Sequence, residues 1–201
     1  MNRIKIVFYI IAFIIISLLS GISFAYYTGG NLPERSSIGQ SKSFEAKQDL
    51  IWSSLLDIES YPLWKPNLKS IEMLGNNEKG YTKWREYYPY GRSITYEISE
   101  YIPKSLIEIR ITEAKNSAEG VWIFKLSNYQ NRGVLQIKRF AINKNNMDRF
   151  IRRWIDTKYN EVDYLLMSLN IYLKQLVEDQ EELLDLLIPE SVENNEKPLN
   201  I

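Results

Sequence analysis

The hydrophobic pattern passes through three regimes along the chain. From Ile6 to Tyr27, 22 consecutive residues carry no charge and are mostly Ile, Phe, Leu and Val. At 1.5 Å per residue a helix of that length reaches roughly 33 Å, enough to cross a hydrocarbon core of about 30 Å. Arg3 and Lys5 precede the stretch, and Tyr26 and Tyr27 close it where aromatic rings favour the interface. The positive-inside rule then keeps the N-terminus cytoplasmic and places the rest of the chain outside. A second reading is a cleavable signal peptide. Ile6 to Leu19 forms its apolar core, and Ser23-Phe24-Ala25 supplies small residues for cleavage near Ala25, releasing a secreted domain.

After a stretch of linker composition from Thr28 to Ser37, rich in Gly, Asn, Pro and Ser, the pattern turns to alternation. Ile38 to Ala46 alternates weakly and predicts a first strand. Leu50, Ile51, Ser54, Leu55 and Ile58 then fall at helical spacing, ended by Tyr61-Pro62-Leu63-Trp64-Lys65-Pro66. Six further strands are predicted over 68–74, 81–88, 92–101, 106–112, 120–129 and 134–142. Short turns such as Gly75-Asn76-Asn77 and Pro89-Tyr90-Gly91 separate them, as in an antiparallel meander. Within them Ile94, Tyr96 and Ile98 share one face, Ile107, Ile109 and Ile111 another, and Trp122, Phe124 and Leu126 a third.

The third regime is helical. After Asn145-Asn146, apolar residues from Met147, Phe150, Ile151, Trp154 and Ile155 to Leu173 and Leu176 hold a helical period for about 30 residues. This predicts one long amphipathic helix, with Trp154 and Leu165 on the same sheet-facing side and Arg149, Arg152 and Arg153 pointing away. The Glu/Leu-rich continuation extends as far as Leu187, and Pro189 stops it. The resulting organisation is a membrane segment at 1–27, a linker at 28–37, a folded domain at 38–176 and an acidic extension at 177–201.

Composition narrows the chemistry. The 201 residues include no Cys and no His. A disulfide framework, a thiolate nucleophile, a Ser-His-Asp triad and a His- or Cys-based zinc site are therefore excluded, and no metal or other cofactor is expected. The formal charge is zero but unevenly spread, with 22 basic and 17 acidic residues over 27–176 and one basic against eight acidic over 177–201. The basic excess is too scattered for a nucleic-acid footprint. The acidic end reads as a solvated tail or a segment that binds a protein partner.

Several short motifs now line up. Trp52, Leu55, Leu56 and Asp57 lead into Tyr61-Pro62-x-Trp64 and Pro66. Tyr81-x-x-Trp84-x-Glu86, Gly91 and Ile94-Thr95-Tyr96-Glu97 follow, then Pro103-x-x-Leu106, Gly120-x-Trp122 and Arg149-Phe150. In that order they resemble the START-like helix-grip superfamily (SRPBCC), which includes polyketide cyclase/dehydrase-like and lipid-transport proteins, over roughly residues 40–176. The resemblance implies an α+β fold in which a curved antiparallel sheet grips a long C-terminal helix, with an apolar cavity between them. Lys138-Arg139 stands where such proteins often carry an acidic residue.

A ligand cavity would be lined by Trp84, Tyr96, Trp122, Phe124, Phe150 and Trp154, with Glu86 and Arg110 as polar groups at its edge. The plainer alternative is that these aromatics simply fill a core. Trp84, Glu86 and Tyr88 share a strand face, so an inward Trp84 brings the Glu86 carboxylate inward too. It must then find a cation or hydroxyl partner, or pair across strands at a sheet edge. The expected function is a membrane-anchored binding module for a hydrophobic small molecule or lipid. One alternative is a cyclase- or dehydratase-like enzyme using a carboxylate or Tyr. Another is an interaction protein acting through the acidic segment.

Overall fold

The computed structural model describes residues 3–114, 119–130, 132–154 and 161–187. Helix α1 spans Arg3–Gly30, β1 Arg35–Phe44, α2 Gln48–Leu56 and the short α3 Tyr61–Trp64. Six strands follow: β2 Ser70–Asn76, β3 Thr82–Tyr87, β4 Ser93–Ile102, β5 Leu106–Ala114, β6 Glu119–Tyr129 and β7 Arg132–Ile142. Helices α4, Asn146–Trp154, and α5, Glu161–Leu187, complete the described chain.

The strands form one seven-stranded antiparallel sheet in the order β1-β7-β6-β5-β4-β3-β2. It is a meander in which β1 returns to pair with β7, Arg35 opposite Ile142 and Phe44 opposite Gly133. Register shifts between β4 and β5 at Thr95/Tyr96 and Ile98/Glu100 interrupt the ladder, and such bulges bend a sheet. On the inner face Phe44, Trp84, Ile107, Leu135 and Ile137 are almost fully buried. Opposite them α5 buries Val162, Leu165, Leu166, Leu169 and Leu173, spaced by three and four residues as one helical stripe. This is the expected helix-grip architecture.

Local chemistry explains the edges of the elements. Asp49 suits the positive end of α2 and pairs with Lys104 at 2.8 Å. Ile51 of α2 sits directly on Gly133, where an added Cβ would lie 2.2 Å from the Ile51 Cδ1, so a side chain there would force the buried Ile51 to shift. Pro62 occupies the first turn of α3, where a missing N–H costs nothing.

Two expectations need correction. Residues 28–37 do not form a continuous linker, because α1 continues through Gly30 and β1 begins at Arg35. The expected single C-terminal helix crosses residues 155–160, which, like residues 188–201 of the acidic extension, lie outside the described residues; α4 and α5 stand on either side of 155–160. Most consequentially, α4 packs on α1, not on the sheet. Phe150 meets Phe24 edge-on at 6.4 Å, and Gly29 lies so close to α4 that a Cβ there would fall 1.8 Å from the Asn146 carbonyl oxygen. Trp154 is accordingly 62% exposed while Leu165 is buried. Arg149 does not point to solvent either. Its guanidinium is buried, donating to the carbonyls of Gly29 (2.8 Å) and Asn143 (3.0 Å), to Asn146 Oδ1 (2.6 Å) and to Glu34 (3.2 Å). One side chain thus ties the end of α1, the start of β1, the end of β7 and α4 together.

Helix α1 is long and apolar enough to cross a membrane over Lys5–Gly30, and its apolar stretch is not covered by the rest of the protein.

Candidate functional site

A cavity of about 330 Å³ opens between the inner face of the sheet, α3 and the start of α5. Its walls are built by strand alternation. Trp84 on β3 lies opposite Tyr96 on β4, and the register stacks the two rings at 5.6 Å. Trp122 and Phe124, two apart on β6, present parallel rings on the same face at 6.4 Å. Ile94, Ile109 and Ile111 fill the space between. The fourth wall comes from the Tyr-Pro-x-Trp segment. Tyr61 is anchored by its hydroxyl to the Leu55 carbonyl at 2.7 Å, and Trp64 packs between Tyr61 at 5.1 Å and Tyr172 of α5 at 6.4 Å.

A polar cluster stands behind this aromatic wall. Glu86 has no solvent exposure, and its carboxylate accepts from Lys65 Nζ at 2.5 Å, from Trp84 Nε1 at 3.1 Å and from the Tyr88 hydroxyl. A buried carboxylate requires this kind of satisfaction. The Lys65 ammonium also lies over the rings of Tyr61 (5.2 Å) and Tyr96 (4.9 Å), cation–π contacts that help hold it in a half-dry site. The phenols of Tyr61, Tyr88 and Tyr96 are all pushed above their ordinary range, chiefly by burial. The negative charge of Glu86 adds to the shift in each, and in Tyr88 so does its neighbour Tyr96.

At the mouth, Arg139 on β7 faces inward opposite Trp122, its guanidinium 5.2 Å from that ring, and pairs with Glu161 at the start of α5. Burial lowers the Arg139 pKa, the Glu161 charge opposes that shift, and the like charge of Arg152 adds to it.

Of the residues singled out from the sequence, Trp84, Tyr96, Trp122 and Phe124 line the cavity together. Glu86 lies behind the wall and reaches it through Lys65 and Tyr88, which do line it. Arg110 is on the outer face of the sheet, 3.8 Å from Glu108, because alternation that turns Ile109 and Ile111 inward turns Arg110 outward. Phe150 belongs to the α1–α4 contact and Trp154 packs on Phe150 within α4, and neither lines the cavity. Sequence reasoning passed over Trp64, Lys65, Arg92 and Arg139. A signal existed for Arg139, which shares the inward parity of Leu135 and Ile137; Lys65 sits in a non-periodic segment that carries none.

No known sequence family matches the chain, and no curated protein is significantly similar to it in sequence. Solved structures are similar in fold. The Zhui aromatase/cyclase from Streptomyces sp. R1128 superposes with a TM-score of 0.61 at 15% identity, covering 71% of this chain and 96% of that one. A START superfamily protein from Mycobacterium smegmatis gives 0.57 at 15% identity, covering 70% and 98%. A protein from Thermus thermophilus, TTHA0849, gives 0.58 at 11% identity, covering 70% and 99%. The chain therefore has the helix-grip fold of START-like proteins.

Proposed function

We propose that the chain is a membrane-anchored binding module that holds a hydrophobic small molecule or lipid between the sheet and the C-terminal helix. The observation that carries this reading is the 330 Å³ cavity with aromatic walls and a few placed polar groups, the usual make-up of a ligand pocket. The mechanism is partition of an apolar body into a pre-formed chamber. Helix α1 keeps that chamber at a bilayer, and Arg3 and Lys5 before the apolar stretch favour a cytoplasmic N-terminus with the domain outside.

Native mass spectrometry of gently extracted full-length protein should detect a co-purified apolar molecule. Empty protein that also fails to take up N-phenyl-1-naphthylamine would overturn the binding reading. For orientation, a reporter active only in the cytoplasm should stay silent when fused to the C-terminus, and a strong signal there would reverse the topology.

A second reading, a cyclase- or dehydratase-like enzyme, draws on one observation: the Lys65–Glu86–Tyr88 cluster at the cavity wall. The aromatase/cyclase among the similar folds makes that chemistry worth testing. Against it, the Glu86 carboxylate is buried, already accepts from three donors and is ion-paired to Lys65. Glu86→Gln separates the two. A carrier should keep ligand retention within about tenfold, whereas loss of a general acid or base should cost roughly 10²–10⁴ in turnover with ligand still bound.

A further inference from the structure

The charges around the cavity are lopsided. Lys65, Arg92, Arg139 and Arg152 all contribute to its lining, against one lining carboxylate among the described residues, Glu161. Lys65 is matched by Glu86 and Arg139 by Glu161. Arg92 and Arg152 have no ion pair among the described residues; Arg92 lies over the Tyr88 ring at 4.7 Å. Two N–H groups of cavity-lining side chains, Trp64 Nε1 and Arg139 Nε, are buried without a hydrogen-bond partner among the described residues. Buried donors are normally satisfied, so each such group calls for an explanation. Here both belong to one chamber that also carries two cations without an ion pair, the exposed Arg92 and the half-buried Arg152, and an anionic oxygen group is the ligand chemistry that suits such a lining.

We infer that the ligand is an amphiphile with an anionic oxygen head, a carboxylate, sulfonate or phosphate, held by the arginines that line the cavity, Arg92, Arg139 and Arg152. This rests on the binding reading above and narrows it. The aromatic chamber takes the apolar body. A volume near the lower end of the roughly 300–1,000 Å³ typical of ligand pockets suits one short tail or a compact ring system, not two acyl chains. Arginine suits the task because its planar fork meets two oxygens of such a head at once.

The probes are 2-naphthoate and 2-naphthamide, nearly identical in shape and differing in charge, titrated by fluorescence into the full-length protein in a neutral detergent. Naphthoate should bind at least about tenfold more tightly, equivalent to ~1.4 kcal/mol. In the Arg92→Gln/Arg152→Gln double variant that preference should vanish while naphthamide affinity is kept, with circular dichroism unchanged. Equal binding of the two probes to the unaltered protein overturns the anionic head and leaves the cavity reading standing. Binding of neither probe overturns both. Repeating the titration in phosphatidylglycerol nanodiscs distinguishes a ligand head from a bilayer headgroup. A preference that survives there supports the inference, and one that disappears assigns the arginines to the bilayer and overturns it.

Discussion

Lys65 and Glu86 show how much a single pair decides in this protein. Glu86 sits on a strand face dictated by alternation with Trp84, but its partner arrives from a loop 21 residues earlier in the chain. Removing Lys65 leaves an uncompensated charge in a site with no solvent exposure, whereas Glu86→Gln keeps an acceptor for Lys65 and Trp84. Lys65→Met should therefore cost about 3–5 kcal/mol of stability, and Glu86→Gln less. Chemical denaturation of both single variants and the double should give a coupling of at least about 1 kcal/mol, and additivity would show that the pair does not act as one unit. Arg149 and Trp154 make a second contrast. Arg149→Met removes the donor to the Asn143 carbonyl and one of two donors to the Gly29 carbonyl, and should cost on the order of 3 kcal/mol. Trp154→Ala, at a 62% exposed side chain, should cost less than about 1 kcal/mol. Melting midpoints in the opposite order would refute the burial of Arg149. Neither result is foreseeable from a helical period, which marks Trp154 as apolar and Arg149 as polar without saying which surface the helix meets.

Among the elements, α4 is where sequence and structure part company. Its apolar residues continue the period of α5 closely enough to read as one helix, yet its partner is α1. Close approach at Gly29 makes that contact possible, since helices meet tightly where a side chain is missing. Gly29→Ala puts a methyl group into the Asn146 carbonyl and should loosen the contact while leaving the sheet intact. Hydrogen exchange of the full chain in detergent should then accelerate over residues 146–154 and stay unchanged in β6, β7 and the first turns of α5. Uniform exchange across the molecule, or none at all, would mean that α4 does not depend on α1. The strands behaved differently. Their expected and observed limits differ by only a few residues, because each is bounded by a turn of Gly, Pro or Asn and carries its own inward parity.

The molecule as a whole gathers three phenols around one carboxylate, Tyr61 and Tyr96 buried and Tyr88 half-buried, and this sets its response to alkali. Tyr61, Tyr88 and Tyr96 are raised above the ~10 of an unfolded tyrosine, so below that pH both states hold these protons and stability does not change on their account. Above about pH 10 the unfolded chain releases protons that the native state retains, so stability falls as pH rises. Phenolate absorbance should show three of the 14 tyrosines ionising only when the protein unfolds, with the melting midpoint dropping over the same range. All 14 titrating near pH 10 with the fold intact would contradict the buried cluster.

Features that depend on near neighbours along the chain were legible before any fold was known. Uninterrupted apolar length defines α1, period-two alternation defines the strands and the inward faces of Trp84, Tyr96, Trp122 and Phe124, and period-three-and-four spacing defines the stripe of α5 from Val162 to Leu173. The absence of His and Cys likewise closed off whole classes of chemistry. Which faces meet was left to the folded arrangement. It set Lys65 on Glu86, turned α4 onto α1, buried Arg149 among backbone carbonyls and brought Arg139 over Trp122 at the cavity mouth. The physical reason is that periodicity records a side chain's direction relative to its own backbone. The partner of a buried charge comes instead from sheet register and helix docking, which join residues 17 to 120 positions apart.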